Sequence, residues 1–227
     1  MKRDALFKKF KALPLSQRRT LSVAAVKAGQ VYGSVPEKWN TFMFKAQNQY
    51  MVQRNKNQKN PVEKKLWPKD GFKSIAKAAT EQKRRIRHKL KEEPSISNLG
   101  EYQMYIVLRL FSKIPFRNGF ADMQVSKKSD GNYIEVPKKG LIVFHMREYK
   151  NSKQLGERSI KLDRGNTVQL KKFLKYRGEL GLKHNYLLST RTGAKMSRAT
   201  LGKALHKKTK ALLGKAFGSR MIRILAA

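Results

Sequence analysis

Arginine and lysine supply most of the chemistry open to this chain. Of its 227 residues, 52 are Lys or Arg and 15 are Asp or Glu, a formal net charge of +37. Cysteine is absent, and the four histidines (His88, His145, His184, His206) are scattered without ligand spacing, so no metal is expected. No carboxylate cluster of the kind that two-metal hydrolysis needs is visible. Three places stand out by context. Arg117 follows a strongly apolar run, Lys150 lies among short β-prone segments, and Arg220 and Arg223 open a final apolar segment as Arg-x-x-Arg. Each has an ordinary alternative. Arg117 suits a helix C-terminus or a surface phosphate contact. Lys150 suits a solvated turn, with Lys153 beside it, and Arg220 with Arg223 suits a basic helix face.

The elements that must position these residues follow from periodicity. Leu6, Phe7, Phe10 and Leu13 keep helical spacing up to Pro14. A second helix is predicted from a Ser16 cap to Gly29–Gly33, and a third from about Glu37 to Val52, with Trp39, Phe42, Met43, Ala46 and Tyr50 inward. Trp39, Phe42 and Phe44 read as core more than as base-stacking platforms. Gln53–Lys65 reads as a loop stopped by Pro61. A fourth helix spans about Gly71 to Leu90, with Phe72, Ile75, Ala79 and Ile86 on one side and Lys83, Arg84, Arg85, Arg87 and Lys89 on the other. Lys91–Asn98, which contains Pro94, is the expected interdomain linker. Beyond it lie an apolar helix over Leu99–Lys113 and short strands at Met123–Val125, Asn132–Val136, Leu141–Met146 and Ser159–Leu162. A helix follows from Asn166 to about Leu180, and another from a Ser197 cap to Leu213. A last helix begins near Ser219. The expected class is mainly α with a small antiparallel sheet (α+β), with helical residues 1–93 followed by mixed α/β residues 96–227.

A +37 chain with 40% hydrophobic residues can bury a core but repels itself unless it meets a polyanion. No window approaches a run of about 20 apolar residues, and the N-terminus lacks a signal-peptide h-region. The expectation is a DNA-associated intracellular protein with no membrane partner. The one-sided charge of Lys83, Arg84, Arg85 and Arg87 marks a nucleic-acid face. Lys203, Lys207, Lys208 and Lys210 are expected on backbone phosphates, as is Lys153.

The order of these features resembles the tyrosine recombinase (phage-type integrase) family. The residues that carry it are Leu108-Arg109-Leu110-Phe111-Ser112-Lys113-Ile114-Pro115-Phe116-Arg117-Asn118-Gly119-Phe120-Ala121-Asp122, Glu148-Tyr149-Lys150-Asn151-Ser152-Lys153-Gln154-Leu155-Gly156, and Gly218-Ser219-Arg220-Met221-Ile222-Arg223-Ile224. The Pro and Arg-Asn version is similar to members from large DNA viruses and virus-like transposons, as are Gln17–Leu21 and Glu63–Trp67. The resemblance implies a helical core-binding domain and a mixed α/β catalytic domain that clamp duplex DNA, working as a homo-tetramer and without a cofactor. It also implies catalytic roles for Arg117, Lys150, Arg220 and Arg223, with Lys153 competing with Lys150.

In such a reaction a tyrosine attacks a phosphodiester to form a 3′-phosphotyrosyl bond. Guanidinium forks stabilise charge developing on the nonbridging oxygens, and an ammonium protonates the departing 5′-oxygen. Three departures stand out. Arg220 occupies the usual histidine place, so it can donate to phosphate but not act readily as a base. Phe120 replaces a frequent acid, leaving Asp122 to orient the site. No tyrosine follows Arg223, and Tyr186 precedes the last two helices; a C-terminal truncation is therefore expected, with this chain inactive by itself. The reading from another class is a non-enzymatic basic nucleic-acid-binding protein of ribosomal type.

Overall fold

The computed structural model describes residues 2–56, 59–92, 94–126 and 129–227. Asn57 and Gln58 of the expected loop, and Glu93 of the expected linker, lie outside the described residues. By compactness the chain divides into residues 1–65 and 66–227, upstream of the break expected at Lys91–Asn98.

The first unit holds α1 (Lys2–Ala12), α2 (Leu15–Val31), α3 (Glu37–Asn55) and most of α4 (Pro61–Leu66). Its core is aromatic. Trp39 packs edge-on against Phe7 and Phe10, with ring centroids 5.1 and 5.3 Å apart, and Phe7 meets Phe42 at 4.9 Å. Val26 and Ala46 are buried beside α2 and α3 positions of the same period. Phe44, expected in the core, is exposed instead, because it stands off the stripe of Trp39, Phe42 and Ala46. Two boundary expectations fail for capping reasons. Pro14, not Ser16, occupies the cap position of α2, and no side chain caps it. Pro61 starts a helix instead of stopping a loop. Asn60 Oδ1 accepts from the Glu63 N–H at 2.9 Å, while Glu63 Oε2 accepts from the Asn60 N–H at 3.1 Å. This reciprocal box, with proline at the first helical position, is a strong helix start.

The second unit is built on α6 (Ile96–Phe111), which Ser95 caps by accepting from the Asn98 N–H at 3.2 Å. Leu99, Tyr105, Ile106, Val107, Leu108, Leu110 and Phe111 are all buried. α5 (Lys73–Ile86) lays Ile75, Ala78, Ala79 and Ile86 on this helix and leaves its charged side outward. That packing ties α5 to the second unit, whereas the sequence break had placed it with the first helices. α8 (Arg164–Glu179) covers another face of α6. There Arg109 Nε donates to Asn166 Oδ1 at 2.7 Å, and Asp163 caps α8 through the Asn166 N–H.

A four-stranded sheet packs Phe144 against Phe116 and Phe120. Its strands are β1 (Gln124–Val125), β2 (Tyr133–Glu135), β3 (Val143–Met146) and β4 (Arg158–Lys161), in chain order across the sheet. β2–β3 and β3–β4 are antiparallel, with Ile134 opposite Phe144 and Phe144 opposite Ile160. The sheet is mixed, not wholly antiparallel, because β1 pairs with β2 in parallel. A two-residue strand carries no alternation from which its direction can be read. β3 and β4 are joined through the short α7 (Ser152–Leu155), and α9 (Arg198–Leu213) and α10 (Ser219–Leu225) complete the unit. The α+β class holds.

Candidate nucleic-acid interface

α9 brings together segments that lie far apart in the chain. Ser197 starts it by accepting from the Thr200 N–H at 3.1 Å. Arg198, Gly202 and His206 then recur every four residues, which places them on one face. Arg198 Nε donates to Asp122 Oδ2 at the end of the 3-10 helix Asn118–Asp122. One turn on, a Cβ at Gly202 would lie 3.0 Å from Asn118 Nδ2, so any other residue here would have to displace the Asn118 side chain that the glycine lets come close. One turn further, the His206 ring lies against Gly218, where a Cβ would be 3.0 Å from Nε2. Gly218 precedes the first residue of α10. Thr209 Oγ1 accepts from the Phe217 N–H at 3.0 Å, and Gly214 takes the left-handed conformation (φ 70°) that ends α9.

Arg117, immediately before the 3-10 helix, and Arg220 and Arg223, in α10, are thus seated on the same helix. Arg117 and Arg220 are exposed and Arg223 is half-buried. The Arg223 guanidinium is depressed from its ordinary value by burial first, then by the positive charges of Arg117 and Arg220. Its Nε is buried with no hydrogen-bond partner among the described residues. None of the three guanidinium groups forms an ion pair among the described residues. Like charges crowded without an acid are costly to hold, and a multi-oxygen anion would relieve that cost with bidentate hydrogen bonds.

The other sequence-derived positions behave differently. Lys150 and Lys153 are exposed on the connection between β3 and β4, with Lys153 in α7. Neither is among the groups that act on Arg223. Asp122, expected to orient the site, instead binds Arg198 and Lys195, the latter at 3.0 Å from Oδ1. It therefore fastens the 3-10 helix to the start of α9 and does not pair with Arg117. Phe120 is wholly buried in the aromatic core. The Tyr186 ring lies under Lys195 Nζ, 3.9 Å from the ring centroid.

Lys83, Arg84, Arg85 and Arg87 are exposed on and just after α5, and Lys203, Lys207 and Lys210 are exposed on α9. Lys208 departs from the expected phosphate face. It is largely buried and donates to Glu101 Oε2 at 2.7 Å. Sequence reasoning missed Gly202, His206 and Gly218. The available signal was a glycine inside a well-capped helix, a position that usually has a packing reason. Among the described residues no cluster of His, Asp or Glu is fit for a metal, and no helix is long and apolar enough to cross a membrane.

No protein-family model matches the chain, and no curated protein matches it. Among solved structures it is similar to the crystal structure of XerA recombinase. The identity is 11%, the TM-score is 0.46, and the match covers 94% of this chain and 67% of that one.

Proposed function

We propose that this chain binds duplex DNA and carries the phosphate-activating part of a tyrosine-recombinase active site. In this reading residues 1–93 serve as the helical core-binding part and residues 96–227 as the catalytic part. The observation that supports it best is geometric: Gly202, Gly218 and the Arg198–Asp122 pair seat the segments of Arg117 and of Arg220 and Arg223 on one helix, and Arg223 Nε is buried there with no hydrogen-bond partner among the described residues. A phosphodiester between these groups would receive donors on both nonbridging oxygens as charge develops there. One such donor is worth roughly a hundredfold or more in rate.

Attack by a tyrosine oxygen on phosphorus, with its phenolic proton passing to water, forms the 3′-phosphotyrosyl bond and breaks the bond to the 5′-oxygen. Lys150, on the β3–β4 connection, supplies the proton to that oxygen, with Lys153 as its competitor. Arg220 holds a phosphate oxygen and takes no proton. No tyrosine follows Arg223, so the reading takes its nucleophile from another segment or a neighbouring protomer, and the working assembly is a homo-tetramer on two duplexes.

The test is formation of a denaturation-resistant protein–DNA adduct by the chain together with a tyrosine-bearing segment, on a pool of duplexes. Wild type should form it. Arg117→Ala and Arg223→Ala should lose it by about a hundredfold or more while still binding DNA. Lys150→Ala should be rescued by a 5′-bridging phosphorothiolate, whose leaving group needs no proton. Adduct formation undiminished in both arginine variants overturns the assignment. DNA binding with no adduct in any protein favours a non-enzymatic binder.

A further inference from the structure

The basic face of α5 has an internal order that net charge alone does not require. Helical spacing aligns Lys73, Lys77, Thr80, Arg84 and Arg87 in one exposed stripe, opposite the buried side of the helix. Two acids stand beside this stripe: Asp70, which precedes the helix and accepts from Lys77 Nζ at 2.7 Å, and Glu81, which belongs to the helix itself. Glu81 Oε2 accepts from Arg84 Nε at 2.9 Å, and its Oε1 accepts from Arg84 Nη2 at 3.0 Å and from Arg85 Nε at 2.9 Å. Arg84 is therefore gripped side-on, through the Nε edge of its fork, while its side chain stays 78% exposed. A guanidinium has five N–H donors. With two engaged, both hydrogens of Nη1 and one of Nη2 remain, and one from each nitrogen forms a parallel pair along the free end of the fork.

That pair is the complement of two adjacent acceptors. In the major groove, guanine presents O6 and N7 side by side, whereas adenine, thymine and cytosine do not offer two neighbouring acceptors. Holding the arginine beforehand removes part of the side-chain entropy cost of the contact. The B-form major groove admits an α-helix, and the outer face of α5 is exposed and basic. The A-form groove of duplex RNA is too deep and narrow for it.

Resting on the duplex-DNA reading above, we propose that α5 enters the major groove and that Arg84, held by Glu81, reads a guanine there. Lys73 and Arg87 lie toward the two ends of the stripe and take flanking phosphates. Glu81 is then a positioning residue that sets specificity without touching DNA.

The experiment selects duplexes from a random pool with the whole chain and measures affinities for an enriched and a scrambled duplex at one salt concentration. An enriched guanine is expected. Replacing it with 7-deazaguanine, which lacks the N7 acceptor, should cost about tenfold in affinity. Glu81→Gln should lose a similar factor on the enriched duplex, yet bind the scrambled one as well or better, because a negative charge has gone. Arg84→Lys should lose the preference too, since an ammonium cannot form the pair. A purely electrostatic face predicts the opposite for Glu81→Gln: tighter binding to both duplexes with their ratio unchanged. That result, or enrichment without a guanine, overturns the proposal, as does equal binding of duplex RNA. Failure of wild type to bind any duplex overturns the parent reading and this one together. Retained binding without guanine preference overturns only this one.

Discussion

Two groups of cations in this chain are treated in opposite ways. On α5, Arg84 and Arg85 share the carboxylate of Glu81, and on α9, Lys208 is matched by Glu101 from α6. At the junction of α9, α10 and the 3-10 helix, the charges of Arg117 and Arg220 act on Arg223, and none of the three forms an ion pair among the described residues, although Asp122 lies only five residues from Arg117. That acid is spent on Lys195 and Arg198. Opposite charges near a surface stabilise weakly, but uncompensated like charges in a half-buried place are a standing cost. A fold keeps such a cost where an anion from outside removes it, so the unbraced cluster marks the candidate phosphate site, whereas the braced cations already have an acid in the free protein.

The strongest way to break this contrast is to disturb the seat itself. Gly202→Val would thrust its side chain into Asn118, whose Nδ2 is already 3.0 Å from the Cβ position. The expected loss is about 2 kcal/mol in urea denaturation, accompanied by weaker phosphate binding because Arg117 shifts with its neighbour. An unchanged midpoint would mean that the 3-10 helix is not held against α9.

A smaller effect has the opposite sign. Arg223→Met removes a half-buried guanidinium that lacks compensation, and should raise stability by about 1 kcal/mol. Inorganic phosphate should raise the melting temperature of wild type and leave that of the variant nearly unmoved. A destabilised variant would mark Arg223 as scaffold.

The braced cations predict the reverse. Burial pushes the Glu101 carboxyl up, but the hydrogen bonds and charge from Lys208 and Gln82 outweigh it, so its value is held below the ordinary one. A depressed carboxyl stabilises above its unfolded value and loses that contribution as pH falls through the folded one. Glu101→Gln should therefore cost somewhat less than about 1 kcal/mol at neutral pH, a cost that fades in acid. Chemical denaturation as a function of pH reads this directly.

The smallest effect is on α5. The Glu81 carboxyl is drawn down to about 2 by its hydrogen bonds to Arg84 and Arg85. Because the group lies at the surface, Glu81→Gln should leave the melting temperature unchanged. The pairing itself should persist far into acid and be lost only as pH falls toward that value, which carboxylate NMR shifts of Glu81 would follow. A clear drop in melting temperature would place Glu81 among the structural pairs.

Much of the fold was legible before any coordinates. Ser197 and the apolar period after it mark α9, and the four short strands lie within a residue or two of their expected places. These features are local: a cap satisfies N–H groups three residues away, and a buried helical face repeats every turn. Where local signals were weak, the reading failed. Phe44 sits outside a core stripe, β1 is too short to show direction, and Asn60 with Glu63 turns Pro61 from a stop into a start. Of the candidate site, residue types and order were legible, but the role of Asp122 was not, because Lys195 and Arg198 are distant in sequence and compete for it.

The sequence by itself determined a strongly basic, helix-rich chain for which a polyanion partner is expected, since charge and periodicity need no knowledge of the fold. Only the tertiary structure decided which of the 52 cations stand together and which are matched by acids. That depends on close approaches at Gly202 and Gly218 and on an ion pair from α9 to the 3-10 helix. The ion pair joins residues 76 apart in the chain, where no local periodicity reaches, and these contacts arise only when α9 packs into the core.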